Sequence, residues 1–252
     1  MKLLIFLLCL SSPVWAASAL FAAEEAVSMS YVCRDLKGTD RWRATSEIIN
    51  ISPGVYLMTE KARGFHSSFN EWVSWVAELK FEQSKRGVRP ISLVKRVFDV
   101  SGRMIRRETQ IFNLADNTAT CTHEEPLRNI SRTRKFKFYG DVVTRLSLGL
   151  YARKFLESGK TSEKLQMVSE EPNVYNVELK RIGKEVIEVS GRKIAAYKLC
   201  VDPQLGVLNF AKAFFPKSYA WHSVRPDYEW LKYAGLEGGI NSEKVEVSIE
   251  GL

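Results

Sequence analysis

Along most of its length the chain repeats with a period of two. Residues 72–82 set Val73, Trp75, Ala77, Leu79 and Phe81 against Ser74, Glu78, Lys80 and Glu82. Residues 243–250 set Val245, Val247 and Ile249 against Lys244, Glu246, Ser248 and Glu250. Side chains alternate across a β-strand, so this pattern gathers the apolar groups on one face and the charges on the other. A helix would scatter the same residues around its circumference. The alternation returns over residues 55–59, 91–98, 104–112, 132–139, 175–179 and 193–201, with Gly-, Pro- and Asn-bearing turns between them. Gly183-Lys184 and Ser190-Gly191 read as two-residue hairpin turns. Strands this close, joined by short turns, form an antiparallel meander, and apolar residues on one face only mean a half-solvated sheet.

One segment departs from the pattern. Residues 141–157 place Val142, Leu146, Leu150 and Phe155 near helical spacing, with Asp141 as N-cap and Ser158-Gly159 as the stop. The expected fold is therefore mainly β: a single-domain curved antiparallel sheet, or an open β-barrel or sandwich, of about ten or more strands with one helix packed on it.

The first 22 residues have a different purpose. Lys2 precedes the apolar run of residues 3–10, and small residues follow through Ala19. That is the plan of a cleavable secretory signal peptide. Val14/Ala16, Ala17/Ala19 and Leu20/Ala22 each offer a cleavage position, which leaves residues 23–252 as the single β-rich domain. The run is too short to cross a bilayer. With 45% hydrophobic residues, the rest of the chain can bury one sizeable core. Cys33, Cys121 and Cys200 would face an oxidising compartment, where one disulfide with one thiol left over is expected, and spacing does not choose the pair. No two cysteines lie close together and no histidine stands at ligand spacing from them, so no metal is expected.

Three constellations are candidates for function. Residues 210–239 carry Phe210, Phe214, Phe215, Tyr219, Trp221, Tyr228, Trp230 and Tyr233, with His222 and Arg225 as polar handles. Such a set either closes the end of a sheet as core or lines an apolar ligand cavity. A basic group comprises Lys95, Arg96, Arg103, Arg106, Arg107, Arg132, Arg134, Lys135 and Lys137, in a chain whose net charge is +8. On one outward face these would attract anionic headgroups, polysaccharide or acidic proteins, and they would equally protect sheet edges from aggregation. Nucleic acid is not an expected partner outside the cytoplasm. Third, Cys121 and His123 share a strand face and could pair as nucleophile and base, but no oxyanion turn accompanies them. The third histidine, His66, lies in a loop. There is no P-loop, dinucleotide fingerprint or G-x-S-x-G elbow, so no cofactor is expected. The carboxylates Glu170, Asp227, Glu229 and Glu237 read as ordinary surface chemistry.

The meander with its Asp99-Val-Ser-Gly102 turn is followed by the Asp141-led segment. Gly191-Arg-Lys-Ile-Ala-Ala-Tyr-Lys198 comes next, and Lys232-Tyr-Ala-Gly-Leu-Glu-Gly-Gly239 comes near the end. Over residues 90–250 this order resembles a family of exported bacterial β-rich proteins that form a domain of unknown function. Its layout is more distantly similar to lipoprotein-carrier folds, in which a curved sheet holds a helix over an apolar concavity. The resemblance implies a periplasmic location. The expected function is non-catalytic binding of a hydrophobic or amphiphilic envelope ligand, a lipid or a lipoprotein. An envelope scaffold using the basic face is the alternative, and an enzyme acting on envelope polymers comes third. Contact with a membrane surface fits either of the first two readings.

Overall fold

The computed structural model describes residues 26–84, 87–170, 172–204, 217–238 and 242–251. The expected leader, Phe210, Phe214 and Phe215 lie outside the described residues. Eight strands form the first half of the chain: β1 (Val27–Asp35), β2 (Asp40–Ser52), β3 (Val55–His66), β4 (Glu71–Ser84), β5 (Gly87–Phe98), β6 (Met104–Asn113), β7 (Thr118–Glu125) and, after a 3-10 turn, β8 (Ile130–Lys137). The short β9 (Val142–Thr144) leads into helix α1 (Leu148–Glu157). The second half follows with β10 (Ser162–Val168), β11 (Val174–Val189), β12 (Arg192–Pro203), β13 (Ser218–Ser223), β14 (Trp230–Leu236) and β15 (Lys244–Glu250).

All of these strands belong to one sheet in the order β8-β7-β6-β5-β4-β3-β2-β1-β15-β14-β13-β12-β11-β10-β9. Each half is a meander, and the two are joined where β15 returns to pair with β1, Cys33 opposite Val247. The pairing is antiparallel throughout except between β10 and β9, which run parallel because α1 carries the chain back between them. The two ends of the sheet do not pair with each other. They pack instead: Phe112, Ala119 and Cys121 from β6 and β7 share a buried cluster with Phe138, Val142 of β9 and Val168 of β10. Strands at opposite ends of the order can share a core only if the sheet curls until its inner faces meet.

Helix α1 fills the space between the halves. Leu150 joins the cluster of Ile48, Met58, Leu79 and Leu93 from β2 to β5. Tyr151, Ala152, Phe155 and Leu156 pack on Leu165, Val177, Leu179 and Leu199 from β10 to β12. Gly149 faces Trp230, whose Cδ1 would lie 3.6 Å from an added Cβ.

The helix is shorter than the apolar spacing predicts. Val142, Val143 and Thr144 form a strand, and Asp141 is not the N-cap. Three consecutive β-branched residues favour extended backbone, and pairing with Gln166, Met167 and Val168 secures it. Asp141 accepts a hydrogen bond from Tyr151 Oη at 2.8 Å, and Ser147 Oγ accepts one from Thr144 N at 2.9 Å in the turn before the helix. The Gly183-Lys184 turn is also absent. β11 runs through it with a bulge between Arg181 and Gly183, and the hairpin turn falls at Ser190-Gly191, both at positive φ. Of the disulfide pairings that spacing left open, Cys33–Cys121 does not form: the two are free buried thiols on β1 and β7. Cys200 is buried on β12.

Gly64 tests how closely β2 and β3 approach. Its φ is +154°, and an added Cβ would lie 2.2 Å from Arg41 O and 2.4 Å from Trp42 Cα, both backbone atoms. Gly38 also has positive φ, +86°, but open space around it. Gly38→Ala should cost about 1 kcal/mol through backbone strain alone, and Gly64→Ala at least about 3 kcal/mol because a strand must also shift. Urea denaturation of the two variants measures the difference.

Candidate functional site

Cross-strand neighbours on the inner face form continuous rows. One runs Met29–Ser46–Glu60–Ala77–Lys95–Glu108–His123–Arg132 across all eight strands of the first half. Beside it runs Ile48–Met58–Leu79–Leu93–Gln110–Cys121–Arg134. The core thus carries an internal polar band, bordered over β2 to β5 by aliphatic side chains.

The second half supplies the groups that face this band. Glu170, in the loop after β10, pairs with Lys95 at 2.5 Å. Gln110 Nε2 donates to Ser169 O at 2.9 Å, and Arg134 donates to Asn173 Oδ1 at 2.7 Å. Glu60 accepts from Trp75 Nε1 at 2.9 Å, and the Lys95 ammonium sits 5.7 Å from the Trp75 ring centre. Arg106 lies 4.5 Å over the Phe69 ring and 3.9 Å from Glu108. His123 Nε2 meets Glu125 Oε1 at 3.1 Å.

Several atoms of the band have no partner. Ser46 Oγ, both carboxyl oxygens of Glu108, Gln110 Oε1, Arg106 Nε and His123 Nδ1 are all buried without a hydrogen bond. Glu108, Ser46, Gln110 and His123 are between 1 and 5% exposed, and buried polar atoms left alone cost about 1–3 kcal/mol each. Burial first, and then the Glu170 charge, push the Glu108 carboxyl up to about 8. Desolvation would raise Glu170 as well, but Lys95 and Arg145 hold it down at about 2. The two carboxyls flanking Lys95 therefore differ in charge at neutral pH, Glu170 ionised and Glu108 protonated. A protonated Glu108 can donate a hydrogen bond.

Arg145, in the turn between β9 and α1, completes the arrangement. It is solvent-accessible. Desolvation by the surrounding protein opposes its charge, yet Glu170, and further off Glu60 and Glu237, leave its pKa raised. Among the described residues it has no hydrogen bond or ion pair. The band meets solvent here, since the Glu170 side chain is itself 26% exposed.

A second buried carboxylate works as a clamp. Glu237 accepts from Trp42 Nε1 at 2.7 Å and Ser67 N at 2.8 Å, with Arg41 at 3.7 Å. Desolvation opposes its charge, but the Ser67 hydrogen bonds and the charges nearby keep its pKa lowered. It fastens the β3–β4 turn, where burial depresses His66 to about 4 and its ring stands edge-on to Phe69 and Trp75. The glycines around Glu237 leave room for hydroxyls: an added Cβ would lie 2.4 Å from Tyr233 Oη at Gly235 and 2.3 Å from Ser68 Oγ at Gly238. The Lys232–Gly238 motif is thus explained by packing.

The aromatic candidates among the described residues do not line one cavity. Trp230 and Tyr233 face inward, Trp230 edge-on to Tyr31. By strand register, Trp221 and Tyr219 point to the opposite face from His222. Trp221 Nε1 donates to Glu185 at 2.6 Å, and Lys198 lies over both rings. Tyr228 packs beside Tyr197, and Arg225 is exposed in the turn. His222 is fully buried, held by Tyr228 O at 2.9 Å, and burial depresses it to about 4, so its Nδ1 is the donor.

The basic group is divided in the same way. Lys95, Arg106, Arg132 and Arg134 are on the inner side, whereas Arg96, Arg107, Lys135 and Lys137 are on the outer. Arg96 pairs with Glu78, Arg107 with Glu124, and Arg103 with Asp99 in its turn. Cys121 and His123 do share a face, but burial pushes the Cys121 thiol up to about 12. The residues that sequence reasoning missed are Glu108, Arg145, Glu170 and Glu237. In β6 the signal was present, since Arg106, Glu108 and Gln110 occupy the same phase as the buried Phe112.

No protein-family model matches the chain, and no curated protein matches it. Among solved structures, a crystal structure of a protein from Bacteroides fragilis NCTC 9343, described as exported and as having a YmcC-like fold, superposes with a TM-score of 0.32 at 6% identity. The superposition covers 91% of this chain and 97% of that one. A superposition at that score identifies neither a fold nor a function.

The raised Glu108 carboxyl has a defined effect on stability. Its folded pKa, about 8, lies above the ordinary value of 4.5. Its contribution is therefore full below about pH 4.5 and is lost as pH rises through about 8. Glu108→Gln should match the parent protein at pH 5 and exceed it in melting temperature at pH 8.5. The difference between the two proteins across this range isolates the effect, because His66 and His222, whose depressed pKa values also change stability between about pH 4 and 6.5, are common to both.

Proposed function

We propose that the chain is exported to the bacterial periplasm and binds an amphiphile there, a lipid or a lipoprotein-like molecule, without catalysing a reaction. The observation that carries this reading is the group of buried polar atoms without a hydrogen bond at Ser46, Arg106, Glu108, Gln110 and His123, bordered by the aliphatic residues Ile48, Met58, Leu79 and Leu93. A ligand with a polar head and an apolar body matches both. The head would satisfy the orphaned atoms beside Lys95, while the body would take the place of Leu150, which covers the aliphatic residues in the ligand-free fold. Binding is favoured over catalysis because burial keeps Cys33 and Cys121 as thiols and leaves His66 and His222 neutral. The leader supports export, and no helix among the described residues is long and apolar enough to cross a membrane.

Native mass spectrometry of protein purified from the periplasm, followed by displacement of a fluorescent fatty-acid probe from the delipidated protein, tests the reading. The expected result is a co-purified amphiphile and saturable probe uptake. Glu108→Leu combined with Gln110→Leu should weaken probe binding about tenfold, the equivalent of one or two lost hydrogen bonds, with a loss of stability no larger than the Gln110–Ser169 hydrogen bond, about 1 kcal/mol. Delipidated protein that takes up no probe, or a double variant that binds as tightly as the parent, would sink it.

A further inference from the structure

We propose that a second site, for a phosphate-type anion, lies on the β11–β12 hairpin, apart from the inner band and independent of it. The bulge in β11 creates it. Residues three apart on a regular strand point to opposite faces, but the register places Arg181 opposite Leu199 and Lys184 opposite Tyr197, with Ile182 as the extra residue. Leu199 and Tyr197 are two apart on β12 and share a face, so the bulge turns both cations to the same side. There they converge on one ring: Arg181 Cζ is 5.5 Å and Lys184 Nζ 4.9 Å from the centre of Tyr197.

These three side chains, with Ile182 and Gly183, line a depression of about 340 Å³. Among the described residues neither cation has a carboxylate within salt-bridge distance, whereas the neighbouring Lys180 is paired with both Glu178 and Asp202. The ring face attracts each cation, but the two charges repel, and an anion seated between them removes that repulsion. A phosphate group offers enough acceptor oxygens to engage the guanidinium and the ammonium together.

The rim suggests what carries the phosphate. Ile182 is 57% and Val186 66% exposed, and Val186 shares the face of Lys184. The pairing of β12 with β13 ends at Ala196, and among the described residues no strand pairs with the distal part of β12 beyond it. A paired cation site edged by exposed aliphatic side chains suits a phosphate headgroup at a membrane surface. A soluble phosphate compound would use the same two cations without the aliphatic rim.

Two measurements separate these sources: calorimetric titration with inorganic phosphate, and co-sedimentation with phosphatidylcholine vesicles with or without phosphatidylglycerol. Arg181→Gln combined with Lys184→Gln should weaken binding about 30-fold. Lys61→Gln combined with Lys80→Gln removes the same net charge from the opposite face of the sheet and should leave binding unchanged. Ile182→Ser combined with Val186→Ser should reduce vesicle binding while sparing inorganic phosphate if the ligand is a headgroup. Phosphate binding without vesicle binding assigns the site to a soluble compound. If neither phosphate nor anionic vesicles bind, or if the two charge-neutralised variants behave alike, the site is rejected. None of these outcomes depends on what the inner band binds.

Discussion

A sheet with one apolar face must find cover for it, and here the sheet is its own cover. Phe112 and Ala119 near one end of the strand order pack against Val142 and Val168 near the other. A single ten-residue helix fills the gap, touching both halves through Leu150 on one side and Phe155 and Leu156 on the other. Strand twist accumulates over so many strands and makes the curl available, and burial of apolar surface makes it favourable. The short β9 and the loop after β10 are consequently brought against the inner face of β5 and β6.

That closure produces the polar band. Lys95 and Glu108 are cross-strand neighbours that the sheet alone would leave as a simple pair. Once the second half folds over them, Glu170 takes Lys95 at 2.5 Å, and Glu108 is left protonated between cations with neither oxygen bonded. The pairing follows from the cost of burying charge: one ion pair is tolerated, and a second carboxylate beside it is neutralised by a proton. The inner surface thus combines a charged element, an uncharged acid and an aliphatic border.

Strand period alone located most of the architecture. The alternations at residues 72–82 and 243–250 correspond to β4 and β15, and their apolar sets are the ones buried. β2 was harder to see, because its inward residues Ala44 and Ser46 are too small or too polar to register as apolar. The helix starts later than the spacing predicts because Val142 and Leu146 satisfy an apolar helical spacing, while Val142, Val143 and Thr144 together favour extended backbone. The bulge at residues 181–183 could not be anticipated, since Gly183-Lys184 carries the same local signal as a hairpin turn, and only the length of the pairing with β12 separates the two.

The sequence by itself determined the fold class, the buried face of regular strands such as β4 and β15, and the hairpin at Ser190-Gly191, because these depend on neighbours one or two positions apart. It assigned Trp221 and His222 to one constellation, although alternation sends them to opposite faces of β13. Which charges meet was decided only by the tertiary structure. Glu170 is 75 residues from Lys95, and Glu237 is 195 residues from Trp42. Nothing local distinguishes either carboxylate from one in solvent. The environment that neutralises Glu108, keeps Glu170 and Glu237 ionised, and buries His222 exists only after the two halves of the sheet have curled together, since desolvation and charge proximity are properties of the assembled interior.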